Sequence, residues 1–260
     1  MHLTLVQYLF GVASGLFVGF TLGVVGGGGS ILAVPLIVYL VRVPDPHLAI
    51  GTTAVAVAAN AAINLWAHAR KGMVKWRCAS VFAVSGVAGA FAGSSLGKAL
   101  DGQKLLFLFA FLMVAVALLM LRHRGGQGDA SVHLSTENAP KLVGTGLLAG
   151  GLSGFFGIGG GFLIVPGLML ATGMPIINAV GSSLLGVAAF GTTTAVNYAA
   201  SGWIDWQLAA VFVAGGIAGG FGGTRVAHRL AGRRGLLNTV FACLIFAIAG
   251  YMLYRSYRAF

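Results

Sequence analysis

The chain has 260 residues, of which 58% are hydrophobic and 8% charged, with 16 Lys and Arg against 5 Asp and Glu and a formal net charge of +11. A typical soluble domain carries roughly 25% charged residues, so a chain with a mean hydropathy of +0.93 cannot be a water-soluble globule. The positive charge sits in loops and ends, where it sets membrane topology, and no nucleic-acid-binding motif accompanies it.

Five apolar segments are expected in the first half, at roughly 4–25, 30–41, 47–69, 78–97 and 104–121. Met1-His2-Leu3-Thr4 lacks the basic start and small-residue cleavage site of a signal peptide, so the first segment is expected to be retained. It carries Gly15, Gly19 and Gly23, spaced by four on one helical face. That is the small-residue pattern by which membrane helices pack. Gly26-Gly27-Gly28-Gly29-Ser30 precedes the second segment. At about 12 residues, or ~18 Å of helix, this segment is too short for a ~30 Å hydrocarbon core. It is expected to begin inside the membrane, where irregular backbone is tolerated only when buried in protein or lining a wet cavity. A helix starting there would aim free N–H groups and its positive dipole end at the protein centre, an anion site without a charged side chain.

The third segment brings Thr52, Thr53, Asn60, Asn64 and His68. From Thr53 onward these share one helical face, as expected of a lined cavity. Interhelical hydrogen bonding is the simpler reading for any single Ser or Thr. His68, close to Arg70, is expected at the membrane surface. Trp76 is expected to anchor at an interface. Gly86, Gly89 and Gly93 in the fourth segment read as packing positions.

After a polar stretch from His123 to Lys141 the same pattern returns. Gly146, Gly150, Gly154, Gly157, Gly159, Gly160 and Pro166 repeat Gly15, Gly19, Gly23, Gly26, Gly28, Gly29 and Pro35 at a constant offset. One residue closer, Gly181-Ser182-Ser183 answers Gly51-Thr52-Thr53, and Gly216, Gly219 and Gly223 answer Gly86, Gly89 and Gly93. The apolar segments fall at roughly 142–157, 161–173, 175–200, 206–224 and 235–254, with Thr193, Thr194 and Asn197 as further polar residues and Trp206 as the second anchor. The fold class is therefore an all-α polytopic membrane protein of two repeats, 1–122 and 142–260, joined by a cytoplasmic linker at 123–141. About eight to ten transmembrane segments are expected, with one short or re-entrant segment per half.

The basic residues tell the halves apart. Arg70, Lys71, Lys75 and Arg77 follow the third segment, while its counterpart is followed only by Asp205. The next connection reverses the bias, with Lys98 and Lys104 in one half against Arg225, Arg229, Arg233 and Arg234 in the other. The positive-inside rule then makes the repeats inverted, with Arg255 and Arg258 fitting less well. Inversion needs an odd number of crossings per half: five, or three if the first two segments form a re-entrant hairpin. Duplicated halves with glycine-broken segments at matching positions point to a transporter binding site.

No Asp or Glu is expected at midplane depth, which suits an anion better than a cation. Cys78 and Cys243 match no metal or redox spacing and are expected to be packing residues.

Gly154-Phe-Phe-Gly-Ile-Gly-Gly-Gly-Phe-Leu-Ile-Val-Pro166, its partner Gly23-Val-Val-Gly-Gly-Gly-Gly-Ser-Ile-Leu-Ala-Val-Pro35, and the Gly51-Thr-Thr, Gly181-Ser-Ser and Gly-x-x-x-Trp elements at Gly72 and Gly202 resemble the TauE/SafE family of sulfite-exporter-like transporters, also called TSUP. The resemblance spans about residues 10 to 255. The first copy departs from the second with Gly27 for Ile158 and Ser30 for Gly161. The resemblance implies an inner-membrane exporter of sulfite, an organosulfonate or another small sulfur-containing or organic anion. Cysteine-dependent handling of thiosulfate, known in a related group, is doubtful here because both cysteines lie outside the glycine motifs.

The expected function is alternating-access transport of such an anion, with an anion channel using the same glycine-lined site as the alternative. Substrate-binding candidates are Gly28, Gly29, Ser30, Gly159, Gly160 and Gly161 through backbone N–H, and Thr52, Thr53, Asn60, Asn64, Ser182, Ser183, Thr194 and Asn197 through side chains. The partners expected are the small anion and the lipid bilayer; self-association stays open. No cofactor, metal, nucleic acid or catalytic set is expected, and an enzyme or a purely structural subunit is the weaker reading.

Overall fold

A computed structural model describes residues 4–122, 129, 132–159, 161–229 and 234–257, and all regular structure among them is helical. The helices are α1 Leu5–Val25, α2 Ala33–Pro35, α3 Pro46–Ala69, α4 Trp76–Ala99, α5 Gly102–Arg122, α6 Ala139–Phe156, α7 Gly161–Thr172, α8 Ile176–Ala199, α9 Trp206–Arg229 and α10 Arg234–Tyr257. Local signals set several starts. Thr4 and Gln7 form a capping box on α1. Asp45 accepts from His47 N at 2.8 Å ahead of Pro46, the first residue of α3. Stretches Leu5–Leu40, Pro46–Ala69, Trp76–Ala99, Ile176–Ala199 and Trp206–Val226 are long and apolar enough to cross a membrane. Their outward faces carry Leu5, Val84, Phe91 and Val196 in the open. In water this would be an aggregating surface; in a bilayer it is the lipid contact.

The glycine run between α1 and α2 differs from the sequence expectation. Gly26–Leu32 winds as a 3-10 helix, fully buried. Contacts on every side override the poor helix propensity of glycine. Pro35, which cannot donate a backbone hydrogen bond, is followed by a wider π-turn over Leu36–Leu40. This stretch doubles back along α1: Gln7 Nε2 donates to the Val41 carbonyl at 3.1 Å. In the second half Gly167 of α7 returns beside Thr145 of α6, at 3.8 Å from a built Cβ. The first two segments of each half thus form a hairpin, and three long helices follow it.

Helix directions follow from the glycine contacts. Gly15 lies against Phe212, Gly19 against Gly216 and Gly23 against Gly220, so α1 and α9 run parallel. Gly150 lies against Gly86 and Gly154 against Ala90, so α6 and α4 also run parallel. Gly51 against Tyr198 and Gly191 against Ala54 make α3 and α8 antiparallel. Because α4 returns from α3, and α3 shares its direction with α1, α6 enters opposite to α1. The repeats are inverted. They also interlock, since each hairpin packs on the fourth helix of the other half; α1–α9 and α4–α6 are the most extensive helix contacts. Glycine faces let these backbones touch, which is how helices associate in lipid without a hydrophobic driving force.

Arg70, Lys71, Lys75, Arg77, Lys141 and Arg225 gather at one end of the bundle, and Arg42, Lys98, Lys104 and Arg255 at the other. Trp76 and Trp206 stand exposed at helix starts. Cys78 is buried, but Cys243 is exposed on α10 and so is not a packing residue within the chain.

Candidate functional site

The two glycine clusters meet at the centre of the protein. A Cβ built on Gly27 would lie 2.5 Å from Gly161 Cα and 2.8 Å from Val187 Cγ2, and one on Gly161 would overlap the Gly27 carbonyl. A Cβ on Gly159 would lie 3.0 Å from Val57 Cγ1 and 3.2 Å from Val187 Cγ1. Val57 and Val187 are equivalent in the repeats and sit halfway along the 24-residue helices α3 and α8. The crossing therefore lies at mid-depth. Each hairpin turns into it at a glycine with positive φ, Gly26 at 71° and Gly157 at 67°, where an L side chain would be strained. Beyond Gly157, α7 starts at Gly161, and the N–H groups of its first turn have no acceptor within the helix.

Side chains finish one half of this centre. Gly27 N–H donates to Ser183 Oγ at 3.3 Å across the two repeats, and Ser183 Oγ donates to the Val180 carbonyl at 2.8 Å. Ser30 Oγ donates to the Gly27 carbonyl at 2.9 Å. Gly28 and Gly29 are buried in the same 3-10 turn. Gly160 lies outside the described residues.

The other candidates divide by location. Thr53 Oγ1 donates back to the Ala49 carbonyl at 2.8 Å. Thr52 Oγ1 accepts from Asp205 N at 2.9 Å and Ser182 Oγ accepts from Lys75 N at 2.9 Å, an equivalent pair tying the loop before α9 or α4 to a long helix. Removing either hydroxyl, by Thr52→Val or Ser182→Ala, is expected to cost about 1 kcal/mol. Because the two ties are far apart, the double variant should lose about 2 kcal/mol in thermal unfolding. Asn197 is at the end of α8, away from the crossing. It donates to Ser94 Oγ at 2.6 Å and accepts from Lys98 Nζ at 2.7 Å, and the same ammonium donates to Ser201 Oγ at 2.9 Å. His68, one residue before the end of α3, is buried within the protein, its Nδ1 2.9 Å from the Asn64 carbonyl. Asn60 and Asn64 face α9; a Cβ on Gly220 would lie 2.9 Å from Asn64 Nδ2, and one on Gly216 would overlap the Asn60 amide.

Among the described residues, several buried polar atoms have no partner: both amide atoms of Asn60, Thr194 Oγ1, Tyr198 Oη, His47 Nδ1, Ser153 Oγ and Ser14 Oγ. Ser153 is a residue that sequence reasoning missed. Its carbonyl accepts from Ile158 N at 3.2 Å, so it lies directly beneath the Gly157 turn. The available signal was the repeat itself, which sets Ser153 opposite Leu22. An apolar groove of about 370 Å³ between α3 and α8, lined by Val55, Ala58, Ala188 and Ala195, opens on the outer surface and is separate from the crossing. Among the described residues no three His, Cys, Asp or Glu side chains come together as metal ligands.

Residues 11–252 match the family described as sulfite exporter TauE/SafE. The chain belongs to the TauE/SafE family. This TauE/SafE protein is 52% identical over 258 residues to a "Probable membrane transporter protein" of Xylella fastidiosa strain 9a5c, covering 99% of each chain. It is 28% identical over 255 residues to "Probable membrane transporter protein YdhB" of Bacillus subtilis strain 168, covering 97% of this chain and 99% of that one. A "Probable membrane transporter protein" of Haemophilus influenzae is 31% identical over 196 residues. No solved structure matches. The TauE/SafE chain is thus a multi-pass membrane transporter of the cell membrane, and its glycine clusters are places where the α-helix is interrupted.

Proposed function

We propose that this transporter exports a small anion, sulfite, an organosulfonate or a similar sulfur-containing or organic anion, by alternating access. The single observation that carries the proposal is the contact of Gly27 with Gly161, where two broken segments from opposite sides meet at mid-depth. The first turn of α7 offers backbone donors and a positive dipole end to an anion there. Ser30 and Ser183 stand within the same turn or across it. Unwound or broken segments from inverted repeats are the usual binding element of carriers, with the repeats rocking around a fixed site. The Arg70–Arg77 end, with the 123–141 linker, faces the cytoplasm under the positive-inside rule.

The test is counterflow in proteoliposomes loaded with unlabelled anion. Uptake of a radiolabelled sulfur anion should saturate and should accelerate when the same anion is trapped inside. Linear uptake indifferent to the trapped anion would replace the carrier with a channel.

A further inference from the structure

The two halves share a backbone plan but not the chemistry of their seams. From the Val57 position toward the Arg70 end, α3 turns Asn60 and Asn64 toward α9, at 0% and 4% exposure, and carries His68 one turn further on at 6%. From Val187 toward the opposite end, the equivalent α8 positions are Phe190, which packs on Gly86 of α4, then Thr194, and Tyr198, which packs on Gly51 of α3; the hydroxyls of Thr194 and Tyr198 also lack a partner among the described residues. The Phe190 ring is buried against Gly86 and stacks on Phe82 with centroids 6.1 Å apart. Tyr198 closes the same side beneath a stack of His47 on Trp203 at 4.7 Å. Asn60 occupies the place of Phe190, over Gly216 instead of Gly86, yet neither its Nδ2 nor its Oδ1 has a hydrogen-bond partner among the described residues. A buried amide without partners is costly, and each such group in a native protein asks for an explanation. Packing does not supply one, because the equivalent position is filled by a phenyl ring.

We infer, on the reading of the protein as an anion carrier, that the α3–α9 seam is the cytoplasmic half of the transport path. The Asn60 amide is the group that meets the anion as it leaves or reaches the glycine crossing, and the Phe82–Phe190 pair is the barrier closing the other half. The amide Nδ2 donates to an oxyanion passing Gly216, and Asn64 continues the polar face one turn nearer the cytoplasm. When the seam opens, the glycines of α9 leave room beside Asn60 that a larger residue would fill. The aromatic seam has no donor at the Phe190 position and excludes water while it stays shut.

The test uses membrane vesicles of both orientations and a Cys78→Ala/Cys243→Ala background, with a membrane-impermeant thiol reagent as probe. Asn60→Cys should be modified at least tenfold faster in inside-out than in right-side-out vesicles, and Asn64→Cys should behave alike if the Asn60 variant fails to fold. Phe190→Cys should remain unmodified in inside-out vesicles. Modification of Asn60→Cys and Asn64→Cys only from the outside, or from neither side, would overturn the assignment, as would modification of Phe190→Cys from the inside. The readout does not depend on which solute is carried. Side-specific labelling without any anion counterflow would retire the anion-carrier reading and leave the seam standing.

Discussion

Gly161→Ala is expected to abolish transport while leaving the helices in the membrane. The added methyl group would fall on the carbonyl carbon, oxygen and Cα of Gly27, all backbone atoms that cannot rotate away. Relief requires the 3-10 turn and α7 to separate, which breaks the contact between the repeats at mid-depth. Overpacking of this kind costs about 1–3 kcal/mol, a loss that thermal unfolding in detergent should resolve. Flux should fall by far more than the lost folded fraction explains, because the donors of the crossing move apart. Gly144→Ala is the control, since nothing lies within 4 Å of its built Cβ. Wild-type flux in a correctly folded Gly161→Ala protein would mean that the clusters need not touch.

Gly19→Val is expected to act on assembly instead. Gly19 packs against the Gly216 backbone on the parallel helix α9, and Gly23 follows against Gly220, so a branched side chain would prise α1 off the other repeat. The same holds for Gly150→Val, which presses α6 from Gly86 of α4. Lipid offers no hydrophobic force to restore either contact; association there rests on close packing. Folded protein recovered after size exclusion should drop at least tenfold for each variant. By contrast Gly250→Ala, with open space around its Cβ, should be recovered like the parent. Equal recovery of Gly19→Val would show that the α1–α9 contact contributes little.

The contrast between these variants shows what sequence could and could not convey. The apolar segments, the repeats and their inversion are legible because hydropathy, glycine spacing and Arg placement are each local or periodic, while the number of crossings per half stays open between five and three. Gly15, Gly19 and Gly23 read as a packing face, and they are one. The hydroxyls were less legible. Thr52 and Ser182 look like cavity residues in an apolar segment, but each holds the amide of a loop more than a hundred positions away. His68 keeps its place beside Arg70 at the end of α3, but the guanidinium lies over Trp66 at 3.7 Å while His68 turns inward, a direction the sequence reading did not give. Two positions along a helix point to nearly opposite sides. The amide of Asn197 reads as a midplane donor, whereas depth along α8 puts it with Lys98 at the end. The difference between Asn60 and Phe190 was present in the repeats all along. Its meaning depends on knowing that Gly216 and Gly86 are equivalent neighbours.

The central claim is that an anion binds where Gly27 meets Gly161, and ligand-dependent thermal unfolding of the parent beside Gly161→Ala tests it most directly. Sulfite, sulfate, thiosulfate, sulfoacetate and small carboxylates would each be titrated into the detergent-purified protein. One anion should raise the melting temperature of the parent, by a stabilisation of about 2.7 kcal/mol at 100 times its dissociation constant. Gly161→Ala should lose that shift while still unfolding cooperatively. An equal shift in both proteins would place the anion away from the glycine crossing and contradict the account.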